Sequence, residues 1–403
     1  MASYMFETVL DSGASQVSRR SLENPAASQK ASGSKERLSI KMFGRPSSSG
    51  LLPDWTDLIS RAADDNVYYA PHYALPLLQT VDQNGSVTVV TVWDQSTLIA
   101  LLPVVTQHVP VPGVVAVGRA WSTEHTYCCT PVLDKARLID AARGLVQALS
   151  SLGSGEWVIP NIRLNSPTSN ALLAALDEQK APWATTAPFK RATLNKGLSF
   201  DDHMQSRVAS KRRRELARNR RRLEELGTVS HRSVSSGQEL DEALSAFLRI
   251  EASGWKGKRG TALACKPADE AFAKTAFGSR SNCRIDMLLL NDRPIAAGLI
   301  TFAGRTGFTV KNAYDEEFAP YSAGLLLEIE VLKSFLTEDW AEHLDSGTCG
   351  RHVIDDLWPD SMEIGDAVFS LASIAPSARL NSYVKLQALR EEAKDRLKTA
   401  IGR

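Results

Sequence analysis

The chain has 403 residues, 43% hydrophobic and 23% charged, with a formal net charge of +1. At about 150 residues per domain, that length implies two or three domains, and the apolar fraction excludes wholesale disorder and fibrous repeats. A balance so close to zero also argues against a protein that coats nucleic acid over its whole surface.

No run approaches about 18 uninterrupted apolar residues, so no transmembrane helix is expected. Met1 to Leu10 lacks the basic region and apolar core of a secretory signal. The five cysteines, Cys128, Cys129, Cys265, Cys283 and Cys349, fit neither a zinc site nor a disulfide framework. A reduced, cytoplasmic, metal-free protein is expected.

Residues 1–37 are Ser-rich and aperiodic and read as a disordered tail. A short helix follows, with Asp54 as its N-cap, and Pro71 to Thr80 forms another. Ser86–Trp93 and Thr97–Val105 flank Asp94-Gln95-Ser96, a hairpin signal. Val114 to Val117 adds a third strand. Leu138, Ala141, Ala142, Leu145 and Leu149 recur at helical spacing within 133–152, and Glu156 to Pro160 is a strand.

The same order returns about 200 residues later. Helices at 240–254 and 268–277 precede the hairpin 284–290/294–302, turned at Asn291-Asp292-Arg293. A strand at 308–313, a helix at 324–336 and a strand at 340–344 complete the second half. The fold class is therefore α/β: two related halves, each with a mixed sheet, since a meander followed by a helical crossover mixes antiparallel and parallel strands.

The linking segment is strongly basic. Between Arg207 and Arg222 stand nine basic residues against one acid, Glu215, on a helix read over 203–226 and closed by Gly227. It suits an anion partner such as RNA phosphates, an anionic surface or a polyanionic substrate; the alternative is a solvated face.

Several short stretches carry chemistry. Lys311-Asn-Ala-Tyr-Asp315 and Pro320-Tyr-Ser-Ala-Gly324 join a strand to a helix, with Ser322 as N-cap. A helix start exposes free N–H groups and suits a diphosphate, although an ordinary cap looks the same. Asp345 and His352 bracket the loop after the last strand of the second half, where open α/β sheets gather ligands. His352 is the candidate general base there, with Asp345 as a second; a solvated loop is the alternative. Trp255-Lys-Gly-Lys-Arg259 is a basic loop suited to phosphates or to simple solvation. Cys349 has no third partner for nucleophilic catalysis. Walker, dinucleotide, HExxH and GxSxG motifs are all absent from the sequence.

Together these pieces resemble the GNAT acyltransferase superfamily, in the branch of FemAB-like peptidyltransferases and CelD-type proteins of cellulose or exopolysaccharide production. The matching run is Lys211-Arg-Arg-Arg-Glu-Leu-Ala-Arg, the helix Phe247 to Trp255, Leu288 to Ala297, Asn312 to Leu327, Leu344-Asp-Ser, and Gly350-Arg-His-Val-Ile-Asp-Asp-Leu-Trp358. It covers about residues 200–370; the first half is similar to a degenerate partner domain.

The resemblance implies tandem GNAT-like domains joined by the basic helix: 38–195 degenerate, 196–380 catalytic, then a C-terminal helix over 381–403. It implies transfer of an acyl group, acetyl as the reference case, from acyl-CoA to a small-molecule or glycan amine, in cell-envelope or exopolysaccharide metabolism. One alternative is an aminoacyl-tRNA-dependent transferase with RNA at Arg207–Arg222, and another is a non-catalytic scaffold of a polysaccharide synthase. The diphosphate turn falls on Ser322, Ala323 and Gly324, with Ala323 where many relatives carry Pro. His352, Asp345 and Asp315 are the catalytic candidates; Trp255, Lys256, Arg259, Tyr314 and Trp358 are the substrate or anion candidates. Many relatives have a Tyr-Lys pair where Val353-Ile354 stand, which leaves His352 as the polar candidate.

Overall fold

The computed structural model describes residues 38–44, 50–82, 86–107 and 117–373, with scattered positions between 377 and 393. The expected tail at 1–37, strand positions 114–116 and the last residues of the C-terminal helix lie outside them; the described positions between 377 and 393 are helical.

In chain order the first half comprises β1 (Ser39–Gly44), α1 (Leu52–Ser60), α2 (Pro71–Thr80), β2 (Thr88–Asp94), β3 (Thr97–Gln107), β4 (Val117–Ala120), β5 (Val132–Leu133), α3 (Leu138–Ser151), β6 (Glu156–Arg163), α4 (Pro167–Glu178) and β7 (Trp183–Asn195). The connection carries α5 (Phe200–Arg207) and α6 (Ser210–Glu224). The second half follows as β8 (Val229–Val234), α7 (Gly237–Ser253), α8 (Trp255–Lys258), α9 (Pro267–Phe277), β9 (Cys283–Leu290), β10 (Arg293–Ala303), β11 (Thr306–Tyr314), α10 (Ala323–Thr337), β12 (His343–Asp345) and β13 (Asp360–Ser370).

Both hairpins form where turn chemistry demands. Gln95 takes φ 54°, while Asn291 and Asp292 take φ 49° and 62°, the left-handed pair whose twist matches the flanking strands. In each half an antiparallel meander is followed by a parallel strand: β4 beside β6, β11 beside β12. The long helices α3 and α10 make those crossovers.

All strands join one mixed sheet in the order β1-β2-β3-β4-β6-β13-β7-β12-β11-β10-β9-β8, with β5 on β3. The halves meet through β7 and β13: β13 pairs with both β6 and β7, and β7 with β12. Tyr73 of α2 packs edge-on against Phe272 and Phe277 of α9, and His125 Nε2 lies 3.0 Å from Asp269 Oδ1 across the same seam.

Three expectations are corrected locally. The basic segment is two helices rather than one: Ser199 caps α5, and Val208 and Ala209 turn extended so that Val208 is buried. The first helix begins at Leu52, with Pro53 in its first turn, so Asp54 sits inside that turn rather than capping it. Ser322 does occupy the N-cap of α10, but its backbone is left-handed (φ 56°, ψ 42°) and its side chain makes no cap bond.

Candidate functional site: the opening between β11 and β12

The sheet opens beside β11. That strand pairs with β12 only over Thr306–Phe308, yet it stays paired with β10 as far as Tyr314. From Thr309 to Tyr314 its other edge has no strand partner, so alternate backbone N–H and C=O groups on that side lie outside the ladder, with Gly347 against Thr309 O and Lys256 on Asn312 O. The register shifts where Leu299 and Ile300 oppose Lys311 and Thr309, so Val310 is an extra residue, a β-bulge that re-aims the strand at this point.

The turn from β11 to α10 forms one side of the mouth. Asp315 Oδ1 caps the 3-10 turn by accepting from Glu317 N at 3.1 Å, and its other oxygen pairs with Arg293. Ser322 Oγ accepts from Asn219 of α6 at 3.0 Å, which ties the basic helix to the turn. Helix α10 then starts with a buried Ala323 and has no acidic residue in its first turn, so its free N–H groups and positive dipole end are uncancelled. At Gly324 a Cβ would lie 3.3 Å from Tyr314 Cδ1, tighter than ordinary contact.

On the α7 side, Glu251 is 1% exposed and Lys311 Nζ stands 3.1 Å from its Oε1. Lys256 Nζ is 3.7 Å from the same oxygen and donates to Asn312 O at 2.6 Å. Burial pulls the Lys256 ammonium from 10.5 down to about 8, with Glu251 opposing and Lys311 adding to the fall. Trp255 is 40% exposed, and the Arg259 guanidinium lies 5.2 Å from its ring centre. Lys258 pairs with Glu316, which ties α8 to the turn before α10.

On the α10 side, Asn312 Nδ2 donates to Glu328 Oε1. Burial pushes the Glu328 carboxyl from 4.5 up to about 7; the Asn312 bond opposes this and Asp286 adds to it. Glu328 and Glu251 were missed by sequence reasoning, although a signal existed. Gly324, Glu328, Val331 and Phe335 recur at helical spacing, so Glu328 is an acid on an apolar stripe.

The loop after β12 closes the opposite side. His352 is exposed and starts a 3-10 turn: its Nδ1 accepts from Ile354 N at 3.3 Å, and its own N–H donates to Asp355 Oδ2 at 3.0 Å. With the Nδ1 lone pair engaged, the neutral ring carries its proton on Nε2 and presents a donor, not a base. Partial burial lowers its pKa below 6.5, with Asp355 opposing and the Lys256 ammonium adding to the fall.

Asp345 sits apart from the mouth. It is fully buried, 3.6 Å from both Arg163 Nη2 and Arg191 Nη1, and its Oδ1 accepts from Gly347 N. Arg191, itself fully buried, donates to Tyr127 O and Thr348 O and so ties one half to the loop that carries His352. This arrangement makes Asp345 an ion-pair partner at the seam instead of a proton acceptor at the surface. Trp358 is likewise 1% exposed, packed with Ile354 and Leu357 in the core under α10 rather than lining the opening. Burial raises the Cys349 thiol, which leaves it protonated and unactivated. No helix among the described residues is long and apolar enough to cross a membrane.

The second half, with its bulged strand, short parallel neighbour and helix start at the mouth, has the GNAT fold, and the first half repeats the meander and helical crossover. Residues 210–352 match the family model described as an acetyltransferase (GNAT) domain, which spans the opening from α6 to His352. Among solved structures, FemX aligns at 10% identity over 79% of this chain and 95% of its own, with a TM-score of 0.54. L-PGS from Bacillus licheniformis aligns at 10% identity over 83% and 96%, with a TM-score of 0.48. A tandem GNAT protein from the clavulanic acid biosynthesis pathway aligns at 11% identity over 83% and 99%, with a TM-score of 0.41. No curated protein matches the sequence.

Proposed function

We propose that this protein is an N-acyltransferase that moves an acyl group, acetyl as the reference case, from acyl-CoA to an amine. The observation carrying the reading is the opening at β11–β12, with an unneutralised helix start at its mouth. In this reading the donor's diphosphate rests on the N–H groups at Ser322, Ala323 and Gly324. Trp255, Lys256, Arg259 and Tyr314 border its approach, while Asp315 and Asp345 hold the surrounding turns. The neutral acceptor amine attacks the thioester carbonyl; a C–N bond forms, the C–S bond breaks, and the thiol leaves with the proton that the attacking nitrogen gives up. Outward N–H groups of β11 and the Nε2–H of His352 stabilise the charge that develops. The motif order of residues 200–370 supports an acceptor from exopolysaccharide or cell-envelope metabolism, in the cytoplasm where acyl-CoA is made.

Calorimetry with acetyl-CoA tests the donor site. One saturable site is expected, weakened at least tenfold by Ser322→Asp. That change keeps an acceptor for Asn219 and tolerates the left-handed backbone, but sets a carboxylate against the diphosphate. Absence of binding to the folded protein refutes the reading.

A second reading, with aminoacyl-tRNA as donor, is favoured by α6. Lys211, Arg213, Arg214, Arg218, Arg221 and Arg222 have no carboxylate partner among the described residues, and Ser210, Arg213, Arg214 and Ala217 line an open cavity of about 500 Å³. Binding of tRNA that falls steeply with salt, with a log–log slope about 2 units shallower in an Arg213/Arg214/Arg218 alanine variant, would establish it. Salt-insensitive binding removes it.

A further inference from the structure

Lys256 occupies an unusual position. Its Nζ donates to Asn312 O at 2.6 Å on the open stretch of β11 and is 3.7 Å from Glu251 Oε1. Lys311 holds that same oxygen more closely, at 3.1 Å, and also donates to Thr261 O. The other Glu251 oxygen accepts from Leu263 N at 2.8 Å. Two ammonium groups therefore share one buried carboxylate. Among the described residues, the remaining charged neighbours offer Lys256 no second carboxylate. Lys258 is paired with Glu316, Arg259 lies over the Trp255 ring, and His352 can add only positive charge. The cluster carries one positive charge more than its burial favours. Lys256, the more distant partner, loses its charge at least cost, because Glu251 keeps Lys311. Its side chain remains 22% exposed at the mouth.

We propose that Lys256 is a self-acylation site, which rests on the acyl-CoA reading above: with no acceptor bound, its free amine takes the acyl group from the donor. The Nζ lone pair attacks the thioester carbonyl carbon, an amide C–N bond forms, the C–S bond breaks, and the thiol leaves with the proton released from Nζ. The amide keeps one N–H, which is all that Asn312 O requires, and the surplus charge is gone. Holding the ammonium near 8 instead of 10.5 makes the free amine roughly 200-fold more abundant at pH 7.5 than on an ordinary lysine.

The test incubates the full chain with isotopically labelled acetyl-CoA at pH 7.5 and reads the acetylated peptides by mass spectrometry. Lys258 and Lys274, both exposed, serve as internal references. Lys256 is expected to label at least tenfold faster than either, and Lys256→Arg, which retains the donor to Asn312 O, should abolish that signal and leave the references unchanged. Trace acetic anhydride, which needs no binding site, should label Lys256 with a midpoint near pH 8. Fast anhydride labelling, together with calorimetric acetyl-CoA binding but no acetyl-CoA labelling of Lys256, overturns the self-acylation and spares the donor site. Loss of acetyl-CoA binding itself overturns both.

Discussion

Replacing Glu328 by glutamine isolates the cost of keeping an acid inside the second half. The folded carboxyl titrates near 7, against 4.5 when free, because α10 buries it beneath β11. Between those values the folded chain holds a proton that the unfolded chain has released. Stability therefore falls as pH rises from about 4.5 to 7 and stays lowered above. Integrating that difference gives a penalty of about 1 kcal/mol at pH 5 and about 3 kcal/mol at pH 8. Glutamine mimics the protonated acid: its oxygen still accepts from Asn312, and it cannot ionise. Urea unfolding followed by tryptophan fluorescence at pH 5, 6.5 and 8 should show Glu328→Gln gaining stability progressively, by about 3 kcal/mol at pH 8. A gain that is constant with pH, or a variant less stable than the parent at pH 8, refutes the reasoning.

Other changes have equally definite outcomes. Arg191→Met leaves Asp345 buried with Arg163 alone and removes the bonds to Tyr127 O and Thr348 O; a loss of about 3–5 kcal/mol is expected in urea unfolding. In Gly347→Ala the added Cβ would lie 2.5 Å from Thr309 O at a backbone φ of 65°. This should cost about 1–3 kcal/mol by thermal unfolding, and acetyl-CoA binding should weaken severalfold because Thr309 begins the open edge. His352→Ala removes a turn cap worth about 1 kcal/mol. It should also slow thiol release from acetyl-CoA about a hundredfold, the usual effect of losing one donor to developing charge; unchanged thiol release would exclude His352 from the chemistry.

Local physics made much of the fold legible. Asn291-Asp292 forces its own turn, the two meanders are near-continuous apolar runs, as strands covered on both faces must be, and the apolar stripes of α3 and α10 require a sheet to cover them. The strands that join the halves were not legible. Neither β7, with Pro188 and the pairs Thr185-Thr186 and Lys190-Arg191 along its length, nor β13, with Asp360, Glu363 and Asp366, has the apolar run of a central strand. Both lie mid-sheet because each finds a partner on either side, which only the assembled halves provide. The break at Val208 is of the same kind: helical propensity favours continuing, and burial of one side chain outweighs it.

The candidate site divides along the same line. Ser322 to Gly324, Lys256 and His352 are identifiable from residue type and position along the chain. Three decisions belong to tertiary structure alone. Asp345 is committed to ion pairs because Arg163 of β6 and Arg191 of β7 converge on it. His352 becomes a donor because the next turn claims its Nδ1. Lys256 and Glu328 move toward neutral pH because helices on opposite faces bury them. A sequence encodes which groups can ionise and where the chain can bend; the free energy of ionising each group depends on the water removed and the charges brought near, and those are set only when the sheet closes.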